Sequence, residues 1–195
     1  MRIYRVIKKQ DFNKLEQGYL VCNKIDSLYF DQNLNYTDYK EQTHRIHFFL
    51  TKEDAITYGH SFEVVDNNIE PYYNLSSVTD ELPSYYYGIC ELELPIEFVE
   101  NYLNIGLYNE KPVIEASIVV DDLRKYNNVD SSNESLKLRD GQIINMYEYD
   151  FKKPFDQNSD AKEILGYLKE NITESNYARL EKQYRDFHTG KEKMK

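Results

Sequence analysis

The feature that most constrains this chain is a set of short period-two segments scattered along its length. From Tyr86 to Leu94 the pattern is clearest, with Cys90, Leu92 and Leu94 pointing one way and Glu91 and Glu93 the other. Such alternation marks a half-buried β-strand. A second strand is expected over Val113 to Val120, and others at Ile3 to Ile7, Ile46 to Leu50 and Gln142 to Tyr149. In the first of these, Ile3, Arg5 and Ile7 share one side, and Tyr4 and Val6 the other. The elements between them are short. Asp11 is expected to cap a helix through Phe12, Leu15 and Glu16 that stops at Gly18, and Thr51 to cap one whose first turn carries Glu53 and Asp54. Pro95 opens a helix containing Phe98, Val99 and Tyr102 that Gly106 ends. Asp121 and Asp122 start a brief turn toward Tyr126. From Ser159 to His188 the period changes to two helices, the second after Thr173, and the terminal Lys-Glu-Lys-Met-Lys is expected to fray. Isolated strands, short helices and long loops predict an α+β fold with a mostly antiparallel split sheet and a C-terminal helical pair.

Short strands at Tyr19 to Cys22, Ser27 to Phe30 and Ser61 to Val65 complete the expected elements. Asp66 to Pro83 is turn-rich and reads as a surface excursion, and Asn127 to Asn133 as a polar loop. With 195 residues and 41% apolar content, the chain supports one substantial core, so a single domain over residues 1–195 is expected, with 159–188 a helical element within it. The net charge of -10 repels phosphate backbones and anionic membranes at long range, which argues against freestanding nucleic-acid binding. No apolar stretch reaches the ~18 residues of a membrane span, and the first residues lack the apolar run of a secretory signal. Cys22 and Cys90 stand far apart among apolar and aromatic residues and read as buried free thiols of a reduced, cytoplasmic protein.

His44 and His47 would face opposite sides of a strand, and His60 and His188 lie beyond it, so no zinc centre is expected. The seven glycines match neither a P-loop nor a dinucleotide fingerprint. The runs Tyr72-Tyr73 and Tyr85-Tyr86-Tyr87 offer stacking surface for nucleobases, although alternating burial in a sheet explains them too. Lys169, Arg179, Lys182 and Arg185 on the last helices are diluted by Glu170, Glu174 and Glu181, the composition of a solvated face.

Three segments draw attention together: Tyr4-Arg5; Phe48-Phe49-Leu50-Thr51 with Ala55 and Tyr58; and Pro112-Val113-Ile114-Glu115 leading a β-rich run. Glu115, at a sheet edge, would face a cleft and stabilise an oxocarbenium-like sugar cation. In order and local pattern the three resemble the ADP-ribosyltransferase superfamily: an early strand of Tyr-Arg type, a middle strand ending in a hydroxyl residue before a helix with a small residue and an aromatic, and a late Glu before a hydrophobic strand. The resemblance spans roughly residues 3 to 120 in scattered islands. It implies NAD as substrate, Arg5 on its phosphates, Thr51 supporting the site, Glu115 holding the nicotinamide ribose, and Phe48, Phe49 or Tyr58 walling the nicotinamide pocket. Val113 occupies the position where members that modify arginine carry a second acid, so arginine is disfavoured as acceptor. Leu50-Thr51-Lys52 stands where Ser-Thr-Ser is common, and no strong toxin signature is present.

Each residue also has a plainer role: Arg5 as a surface or paired strand residue, Thr51 as a helix cap, Glu115 as an exposed strand-edge carboxylate. Two functions therefore compete. One is an NAD-consuming transferase that passes ADP-ribose to a protein or nucleic-acid acceptor, open to restraint by an inhibitory protein partner. The other is a noncatalytic acidic interaction or inhibitor protein of phage or mobile-element type. A transferase fold that has lost activity is a third reading, since fold does not determine function.

Overall fold

The computed structural model describes residues 1–8, 11–21, 45–57, 86–108, 111–127, 135–149 and 159–193. Strand β1 (Arg2–Lys8) leads to helix α1 (Phe12–Glu16), strand β2 (Tyr19–Val21), strand β3 (Arg45–Phe49) and helix α2, described over residues 52–57. Strand β4 (Tyr86–Glu93) and helix α3 (Ile96–Val99) follow, then a 3-10 turn at Glu100–Tyr102 and the hairpin of β5 (Leu103–Tyr108) with β6 (Lys111–Val119). Helix α4 (Val120–Tyr126), strands β7 (Ser135–Lys137) and β8 (Ile143–Glu148), and helices α5 (Ala161–Asn171) and α6 (Glu174–Lys193) complete the order.

Among the described residues, six strands form one sheet in the order β5-β6-β3-β1-β4-β8, and β2 pairs with β7 in a separate two-stranded sheet. Counting only its own strands along the chain, the large sheet runs 4-5-2-1-3-6, with the first strand in its interior. All described pairings are antiparallel. This is the α+β class that the scattered alternating segments predict.

One face of the large sheet carries the main core. Ile3, Ile46, Phe48, Cys90, Leu92, Ile114, Ala116 and Ile118 are buried there, joined by Leu15, Leu123, Leu165, Leu168 and Leu180 from helices and by Leu20 and Leu136 from the small sheet. Burial of that apolar surface is the main stabilising term. Cys90 is a free, fully buried thiol whose burial pushes its pKa up to about 11. Helix α6 also guards the sheet edge at β5: Gln183 accepts the Ile105 N–H at 3.0 Å, and Arg179 donates to the Leu103 carbonyl at 2.5 Å. Side chains on an edge strand's open groups block pairing with another chain.

Several expected boundaries move. Gly106 does not end a helix: the 3-10 turn stops at Tyr102, and Gly106 pairs with Val113 inside β5 because the hairpin claims the backbone groups from Leu103 onward. Asp11 stands at the N-cap of α1 but its side chain makes no capping hydrogen bond, whereas Gly18 has the positive φ of 87° expected after the helix. Helix α6 continues through Lys193, past the expected onset of fraying at Lys191. Strand β7, three residues long, carries too little pattern to be read. The expected strands at 27–30 and 61–65, together with Cys22, His44, Tyr58, His60, Tyr72, Tyr73 and Tyr85, lie outside the described residues. No helix among the described residues is long and apolar enough to cross a membrane.

Candidate functional site

Residues paired directly across an antiparallel sheet project to the same face. Following the register from one edge to the other, Asn104 pairs with Glu115, Glu115 with Phe49, Phe49 with Tyr4, Tyr4 with Glu91, and Glu91 with Asn145. These side chains form one row across all six strands, on the face opposite the main core. The three segments singled out in the sequence thus fall on three consecutive strands, β6, β3 and β1. Two carboxylates sit in the row, three strand spacings apart, or about 14 Å.

Glu115 lies within β6, second from the sheet edge, and is only 4% exposed. The expected exposed strand-edge position is therefore corrected, because β5 pairs along its outer side and closes it off. Asn104 donates from Nδ2 to Glu115 Oε1 at 3.0 Å. His47, on the same face, places Nδ1 at 3.6 Å from Glu115 Oε2, an ion pair when the imidazole is protonated.

Glu91 is 3% exposed and saturated with donors. Its Oε1 accepts from Arg2 Nη1 at 3.3 Å and from the Tyr4 hydroxyl at 3.4 Å, and its Oε2 from Asn145 Nδ2 at 3.3 Å and the Tyr147 hydroxyl at 3.0 Å. Burial pushes this carboxyl up, but the hydrogen bonds from Asn145 and Tyr147, the Arg2 charge and the Tyr4 hydroxyl outweigh it and hold the pKa below the ordinary value. Tyr4 and Tyr147 shift up in return. Burial followed by the Glu91 charge raises Tyr4, and the hydrogen bond to Glu91 raises Tyr147. Lys52 stacks over the Tyr147 ring, 4.0 Å from its centroid. The sequence reading places Glu91 outward as a polar residue; its burial becomes visible only once Arg2, Tyr4, Asn145 and Tyr147 are brought to it.

Arg5 does not join Glu115. It pairs with Cys90 on the core face, and its Nη1 donates to the Val21 carbonyl at 3.2 Å. One cleft holding both Arg5 and Glu115 is corrected by strand parity, since Tyr4, not Arg5, shares the Glu115 face. Phe48 and Phe49 are both fully buried, Phe48 in the main core and Phe49 in the row between Glu115 and Tyr4. Thr51 caps α2, its Oγ1 accepting the Asp54 N–H at 3.1 Å. Asp54 is 2% exposed and accepts a hydrogen bond from the Ser159 hydroxyl. Burial raises its pKa despite the Ser159 and Thr51 hydrogen bonds that oppose the shift.

Sequence reasoning missed Tyr4, Glu91, Asn104 and His47 as members of this face. For Tyr4 the signal was present, since the alternation in β1 already sets it opposite Arg5. Comparison of the chain with protein-family models, curated proteins and solved structures finds no match.

Proposed function

We propose that the Glu115 face is an ADP-ribosyltransferase-like site that cleaves the nicotinamide-ribose bond of NAD. The observation that carries this reading is the adjacency of β6, β3 and β1, which gathers three segments far apart in sequence and sets Glu115, Phe49 and Tyr4 in one row. In the reaction, the bond between the ribose anomeric carbon and the pyridinium nitrogen breaks and its electron pair leaves with nicotinamide, which departs neutral. The Glu115 carboxylate, positioned by Asn104, opposes the positive charge that develops on the ribose. An acceptor nucleophile on a protein or nucleic acid then forms the new bond and loses its proton. On β1 it is Tyr4, and not the Arg5 expected on the phosphates, that shares the Glu115 face, and Thr51 holds the corner that follows β3.

Nicotinamide release from NAD by the purified protein tests this. Glu115→Gln keeps the size and removes the charge, so turnover should fall by about a hundredfold or more. Turnover equal to wild type in that variant would sink the assignment.

The deep burial of Glu115 favours a second reading, a noncatalytic acidic interaction protein in which the row is a rigid support. Under it, the folded wild-type protein neither binds nor turns over NAD and forms a tight protein complex instead.

A further inference from the structure

We draw no further inference here: the strongest candidate, the outer edge of strand β8 (Ile143–Glu148) at the side of the large sheet opposite the edge that α6 guards, carries nothing because nothing among the described residues shows what covers it.

Discussion

On β4, Leu92 and Glu91 are neighbours in the chain, 0% and 3% exposed, and they project to opposite faces of one sheet. Leu92 enters a large apolar cluster in which many aliphatic groups share the work of excluding water. Glu91 meets four donors from β1 and β8, each with a required atom and direction. Equal burial is thus reached in two ways. The apolar face depends on volume and tolerates exchange of one hydrocarbon for another. The polar face depends on matched hydrogen bonds and tolerates little, because an unpaired buried group is costly.

Leu92→Ala should give the largest effect, a loss of about 2–5 kcal/mol in urea unfolding from lost transfer energy plus a cavity; Leu92→Met should cost less than about 1.5 kcal/mol. A Met variant as damaging as the Ala variant would break the claim that volume governs this face. Glu91→Leu should cost about 1–3 kcal/mol by stranding the Tyr4, Tyr147 and Asn145 donors. Glu91→Gln should also destabilise, since its amide presents hydrogens to donors, and a neutral result there would erase the distinction between the faces. Thr51→Ala should cost about 1 kcal/mol through the lost cap, and Thr51→Ser should recover most of it.

The pH dependence should be smallest and is opposed between two carboxyls. Glu91 has a folded pKa below its ordinary value, so its contribution is present above the unfolded pKa and is lost as pH falls through the folded one. Asp54 is shifted the other way, so its contribution is present below the unfolded pKa and is lost as pH rises through the folded one. Stability measured from acid to neutral pH should therefore favour Asp54→Asn over wild type increasingly as pH rises, and favour Glu91→Gln over wild type increasingly as pH falls. Parallel curves for either variant would show that its carboxyl does not carry the shift.

Much of the local structure was legible. Alternation at Cys90 to Leu94 fixed which residues face the core, Thr51 announced a cap that forms, and Gly18 announced a helix end with positive φ. The same alternation in β1 separated Tyr4 from Arg5. Choosing Arg5 for the site favoured residue type over parity, and the register corrects it. The candidate site itself was legible only in fragments: Glu115 and Phe49 stood out, but nothing near them in sequence indicated Asn104 as the partner of Glu115.

The sequence by itself determined the α+β class, the major strands and the side of each strand that each residue takes, because a backbone period and a capping hydroxyl act over a few residues. Strand order, and with it the meeting of β6, β3 and β1, was decided by tertiary structure. The burial of the second face was decided there too: the donors that satisfy Glu91 come from 54 to 89 residues away. Gly88 shows the same limit. It is an unremarked glycine in an alternating segment until β8 packs beside it, where a Cβ would lie 1.8 Å from the Tyr147 carbonyl oxygen. Periodicity records which way a side chain points, whereas what it meets depends on contacts between distant segments that no local pattern encodes.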